Sequence, residues 1–267
     1  MIPPSKAQLQ YLRTKKHEKI LIWFFRVAIF LAFLILWETA ADRGWIDSFI
    51  FCSPSIIAGT FYDMCLNQSL FTHIGITLWE TIASFFFVVL FGLGIAVLLW
   101  IFPKLSKILE PYLVVLNSLP KIALGPVIII VVGAGTEAII FMALAISLIV
   151  TVLEMLAGFR ATNPESIKMA RTFGATKRQV FTKIVFPSNI NTLFNSLKIN
   201  IGLSLVGVIA GEFLVSKAGL GYLIVYGGQV FQLDLVMSSV LILSVMAALM
   251  YQSVVLLQKF VSRWFGG

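Results

Sequence analysis

Charge is what this sequence has least of. Only 12% of its 267 residues are Asp, Glu, Lys or Arg, about half the share of an ordinary soluble domain. With 59% hydrophobic residues and a mean hydropathy of +0.98, a water-soluble fold would leave far too much apolar surface facing solvent. Cysteine is nearly absent. Cys52 and Cys65 match no zinc or redox spacing, so they are either two structural thiols, the favoured reading, or a disulfide. The two histidines, His17 and His73, lie in different segments and offer no catalytic pair, so neither a membrane-embedded enzyme nor a metal site is expected. There is no Gly-x-x-x-x-Gly-Lys-Ser/Thr loop to cradle phosphates, so ATP chemistry would have to come from another chain. A cleavable signal peptide is also missing: the first apolar run, near Ile20, is long enough to span and has no small-residue cleavage site after it.

Long apolar runs are what the sequence has in plenty. A membrane helix needs roughly 20 apolar residues, and six stretches qualify: about Ile20–Ala41, Ile76–Phe102, Ile108–Val132, Glu137–Phe159, Asn189–Phe213 and Val236–Gln258. Pro120 and Pro126 interrupt the third, which is expected to cross once, whether whole or as two shorter pieces. The expected fold is an all-α polytopic bundle of about six spans, with a tail over 1–19 and a membrane domain over 20–267. The net charge of +8 fits lysine and arginine gathered on one face rather than nucleic-acid binding. Fifteen of the 20 basic residues fall in the tail, the second-to-third and fourth-to-fifth connections and the C-terminus, against Arg43 and Lys217 in the outer segments. Both termini are therefore expected on the cytoplasmic side.

Two outer segments are long. Asp42–Gly75 carries Ser53-Pro54-Ser55 followed by Ile56, Ile57, Phe61, Met64 and Leu66, which predicts a short amphipathic surface helix. Leu214–Leu235 is glycine-rich and reads as a plain connector or as a gate-forming re-entrant segment.

The longest cytoplasmic loop, 160–188, predicts two short helices about a glycine. Asn163-Pro164 starts a helix over Glu165–Phe173, Gly174 ends it with a left-handed cap, and a second helix over Lys177–Val185 stops at Pro187. It presents Ile167, Met169, Ala170 and Phe173 beside basic residues, a pattern that suits anionic lipid or a groove on a partner protein.

Ala170-Arg171-Thr172-Phe173-Gly174-Ala175, followed by Ile184-Val185-Phe186-Pro187, resembles the "EAA" loop of binding-protein-dependent ABC importer permeases. The Gly174–Ile184–Pro187 spacing matches, whereas Lys168, Met169 and Phe186 depart from the pattern. Leu119–Pro126 resembles a Pro-x-x-Ala-x-x-Pro element of the nitrate, sulfonate, taurine and thiamine-precursor group. Leu156–Arg160, Ala210–Phe213 and Gly219-Leu220-Gly221 resemble further stretches of it. The resemblance implies the type I ABC importer permease fold in a bacterial cytoplasmic membrane. It also implies separate ATP-binding-cassette ATPase subunits that hold ATP and Mg, an extracytoplasmic binding protein, and a second copy of the chain. No cofactor is expected in this chain.

In that frame Glu165, Met169, Ala170, Arg171, Phe173, Gly174, Ala175 and Pro187 are the coupling candidates. Asn117, Ser118, Pro120, Lys121, Glu154, Ser204 and Glu212 are the pathway candidates. Ionisable groups inside a span are usually functional or paired, while Glu38 and Glu80, near interfaces, are expected to reach water. Lys121 is expected to point a helical turn beyond Asn117, where oxyanion carriers of the group often have arginine. The solute is thus a sulfonate-, nitrate- or taurine-like anion or a vitamin-precursor heterocycle. The rival reading, an ion-coupled secondary transporter, would want inverted repeats and midplane carboxylates.

Overall fold

The computed structural model describes residues 6–67 and 69–264, with backbone alone at 6–13, 16 and 264. Residues 1–5 of the expected tail and 265–267 lie outside the description. Residues up to Asp63 form one compact unit and those from Met64 a second.

In the first unit, α1 (Lys6–Asp42) begins well inside the stretch read as a tail. Many of its apolar side chains are exposed, for example Trp23, Ile29 and Leu36. A four-residue helix α2 (Ser48–Phe51) follows, capped by Asp47. The predicted surface helix is present as α3 (Pro54–Leu66). Its N-terminus is capped from α1: the Glu38 carboxylate accepts from the Ser55 amide (3.0 Å) and hydroxyl (2.6 Å). Glu38 is therefore a cap rather than a charge that merely reaches water. Cys52 and Cys65 are thiols, not a disulfide.

The second unit is built on α4 (Ser69–Ile101), α7 (Thr136–Arg160) and α11 (Ile190–Val215), with α7 packed between the other two. Small residues let these backbones approach, as in membrane bundles generally. A Cβ on Gly207 would stand 2.4 Å from the Ala143 Cα, one on Gly211 2.9 Å from the Ile139 Cα, and one on Gly92 2.6 Å from the Thr151 side chain. Buried polar groups cross the same seam: the Thr151 hydroxyl donates to Asn200 Oδ1 (2.9 Å), whose amide donates to the Ser196 carbonyl (2.9 Å).

The proline-interrupted third stretch is two helices. α5 (Pro103–Ser118) stops at Leu119, extended as a residue before proline prefers, and a 3₁₀ turn (Lys121–Leu124) leads into α6 (Gly125–Val132). The two pieces meet at 88°. Among the described residues, five helices are individually long and apolar enough to cross a bilayer, or six spans if this bent pair is one. The loop after α7 holds α8 (Pro164–Thr172), α9 (Lys177–Val180), a π turn (Phe181–Val185) and α10 (Phe186–Ser188). The second loop helix does not stop at Pro187 as expected. The π turn absorbs the missing N–H and the ring, and the helix passes through the proline. The glycine-rich stretch is no plain connector. It contains α12 (Leu220–Gln229), whose Leu220, Gly221, Leu223 and Gly227 are buried, packed mainly on α13 (Leu233–Trp264) and α11. Among the described residues there is no strand.

Candidate functional site

The 160–188 loop separates its apolar side chains into two sets, which the sequence grouped as one. Ile167, Ala170, Ala175, Val180, Phe181 and Val185 turn inward onto Leu99, Met155 and Phe159 at one end of α4 and α7. Phe181 sits 5.2 Å from Trp100 and 5.3 Å from Phe159, ring to ring. Met169 and Phe173 turn outward, 58% and 84% exposed, beside the exposed Lys168 and Arg171.

Local chemistry fixes this division. Asn163 caps α8 by accepting from the Glu165 amide at 2.8 Å, which places Glu165 in the first turn, exposed, where a carboxylate suits the helix dipole. At the far end Gly174 has φ +80, its amide bonds the Arg171 carbonyl (2.9 Å), and the Ala175 amide bonds the Ala170 carbonyl (3.0 Å). That is a Schellman closure with glycine at the left-handed position, as the sequence predicted. Thr176 and Gln179 then form a capping box that starts α9.

The loop is tied at both ends. Arg160 bonds Ser106 (2.8 Å) and Glu110 (3.3 Å) on α5. The Asn189 amide donates to Thr162 and to the Val185 carbonyl, both at 2.8 Å. Pro187, a coupling candidate, is exposed beside this anchor rather than on the outward face.

The pathway candidates do not form one group. Lys121 Nζ reaches back to Asn117 Oδ1 (3.3 Å) and to the Ile146 carbonyl (3.5 Å). It therefore points back toward Asn117 rather than a turn further on. Ser118 bonds the Val114 carbonyl in its own helix, and Pro120 is exposed at the corner. Glu154 is half-buried with one carboxylate oxygen unpartnered, and Ser204 is buried with its hydroxyl unpartnered. Among the described residues, no hydrogen bond or ion pair joins Glu154, Ser204 or Glu212 to Lys121.

Glu212 instead belongs to a buried cap on α12. Its carboxylate accepts from the Thr77 hydroxyl (2.6 Å) and the Gly221 amide. Thr77 Oγ1 accepts from the Leu220 amide (2.8 Å), and His73 Nδ1 from the Gly219 amide (2.9 Å). A Cβ on Gly219 or Gly221 would fall within 2.5–2.7 Å of the Glu212 carboxylate, so glycine is required at both. Glu80 does not reach water. It is 2% exposed, beside Glu212 and bonded by Thr136 (3.2 Å). Thr77, Thr136 and this role of His73 went unnoticed in the sequence. The signal was there: His73, Thr77, Glu80 and Ser84 recur every three or four residues through an otherwise apolar helix, one polar face of α4.

The family model for "Binding-protein-dependent transport system inner membrane component" matches residues 88–267. A probable ABC transporter permease protein of Haemophilus influenzae is 28% identical over 83% of this chain and 89% of its own length. The taurine transport system permease protein of Escherichia coli is 24% identical over 87% of this chain and 86% of its own. A formylaminopyrimidine transport permease protein of Halalkalibacterium halodurans is 27% identical over 72% and 76%. Among solved structures, a chain of the inward-facing MetNI methionine ABC transporter superposes with TM-score 0.66 at 20% identity, covering 73% of this chain and 97% of that one. A chain of a bacterial ABC transporter that imports alginate gives 0.64 at 15%, covering 94% and 99%. These likenesses leave the ion-coupled alternative without support.

Proposed function

The chain belongs to the family of binding-protein-dependent transport system inner membrane components, and from that premise we propose that the 160–188 loop is where a separate ATP-hydrolysing subunit grips it. As the membrane-spanning permease component of an ABC importer, the chain needs an energy source that its own sequence does not carry. The observation behind the assignment is the outward pair, Met169 and Phe173. Two large apolar side chains held off the spans by an inward-packed loop are anchors of the kind that fill a groove on a partner protein. Glu165 and Arg171 flank them with opposite charge, and Gly174 sets where the chain turns back.

In this reading ATP and Mg stay on the partner, the loop face and both termini are cytoplasmic, and a binding protein docks at the opposite face. Two copies of the chain enclose the path. The Asn117–Lys121 pair offers one cation and one amide to a small solute, either a sulfonate-, nitrate- or taurine-like anion or a vitamin-precursor heterocycle.

The test is Met169→Ala with Phe173→Ala. Both side chains are mostly exposed, so the permease should purify as monodisperse as wild type while losing its ATPase subunit in detergent and its transport in cells. Full retention of both by the double variant would overturn the assignment.

A further inference from the structure

Exposed Phe102 lies just past the end of α4, and on α4 itself four exposed apolar side chains, Phe87, Phe91, Ile95 and Leu98, succeed one another at intervals of three or four residues. That spacing keeps them on one helical face. From Phe87 to Leu98 the stripe rises about 16 Å along the helix, comparable to the about 15 Å hydrocarbon depth of one leaflet. It runs into a cavity of about 580 Å³. Leu98, Ile101, Phe102 and Leu105 give this cavity apolar walls, and Lys104 and Lys177 stand at its edge. Among the described residues neither lysine has a hydrogen-bonding or ionic partner. No acidic residue lines the cavity, and the carboxylate of nearby Glu110 is held by Arg160 at 3.3 Å.

We propose that this groove is the binding site of one anionic phospholipid, its phosphate between Lys104 and Lys177 and an acyl chain along the Phe87–Leu98 stripe. The apolar walls continue a lipid-facing surface, as an acyl chain needs. Two ammonium groups beside them, with no carboxylate lining the cavity, lack only an anion, which a phospholipid headgroup supplies. A water-soluble partner would use the lysines but not the stripe. Lys104 belongs to the α4–α5 corner and Lys177 to the start of α9, so a bound headgroup bridges the spans to the loop. Placing it in the inner leaflet rests on the orientation proposed above; the groove chemistry does not.

Native mass spectrometry of the full chain, purified in neutral detergent and titrated with phosphatidylglycerol or phosphatidylcholine, tests this. Wild type and Lys104→Arg/Lys177→Arg should retain phosphatidylglycerol. Lys104→Gln/Lys177→Gln should bind it about thirty-fold more weakly, about five-fold for each lysine near an anionic surface. Phosphatidylcholine should bind weakly and equally to all three. Equal phosphatidylglycerol binding by wild type and the Gln variant would overturn the proposal. So would its displacement by millimolar inorganic phosphate, or loss of a co-purifying ATPase subunit from the Gln variant with lipid binding unchanged. The Met169 and Phe173 variants judge the loop separately, so either idea can fail alone.

Discussion

Replacing Glu212 with Ala should release α12 from its cap. The first amides of a helix have no partner within it, and at α12 three are taken by other helices: Gly219 by His73, Leu220 by Thr77 and Gly221 by Glu212. Removing the carboxylate leaves the Gly221 amide and the Thr77 hydroxyl buried without an acceptor. Each such orphan costs about 1–3 kcal/mol, so the variant should lose about 2–6 kcal/mol, before any cost of the space vacated. Glu212→Gln keeps one carbonyl oxygen and can satisfy one of the two donors, so its loss should be about half as large. The readouts are thermal unfolding in detergent and hydrogen exchange at the Leu220 and Gly221 amides, which should speed up in the order wild type, Gln, Ala. Unchanged exchange in Glu212→Ala would refute the cap, even if transport were lost. Transport loss with wild-type exchange and stability would point instead to a pathway role for Glu212.

Gly174→Ala meets no steric obstacle, since nothing lies within 4 Å of the added Cβ. Its cost is the left-handed backbone alone, about 1–2 kcal/mol, so the permease should fold, whereas Gly174→Val should uncouple ATP hydrolysis from transport in reconstituted vesicles. Gly207→Val forces atoms into the Ala143 backbone and should cut the yield of monodisperse protein sharply in size-exclusion chromatography, while Gly202→Ala, with open space around it, should match wild type. Asn117→Leu frees Lys121 from the amide oxygen 3.3 Å away and should raise the half-saturating solute concentration in a transport assay with the same amount of folded protein. An unchanged value would remove this pair from the pathway.

Much of the fold was legible because hydropathy and cap chemistry act locally. The long spans, the α8 start at Asn163 and the left-handed Gly174 all follow from runs of a few residues. Whatever depends on two distant segments was not legible. Met169 and Ala170 are adjacent and similar in hydrophobicity, yet one points out and the other in, because only the packed ends of α4 and α7 define an inside for the loop. Glu80 looked like an interfacial charge because its neighbours Glu212 and Thr136 lie over 50 residues away in sequence. The 88° bend after α5 was not legible either: two prolines announce a break without giving its angle.

The proposed coupling role requires the loop to transmit rather than absorb motion, and its anchoring suits that. Its entry is fixed by Arg160 on Ser106 and Glu110, its exit by Asn189 on Thr162, and its middle by Phe181 between Trp100 and Phe159. Val180 and Val185 are fully buried in the same cluster, and peeling these two side chains away would cost about 3–6 kcal/mol. The place with the greatest backbone latitude, Gly174, is closed by its own pair of Schellman bonds. A displacement applied at Met169 and Phe173 by the proposed partner would therefore meet a loop packed onto the ends of α4 and α7. In the proposed coupling role the buried face of the loop joins the outward anchors to the packed ends of α4 and α7.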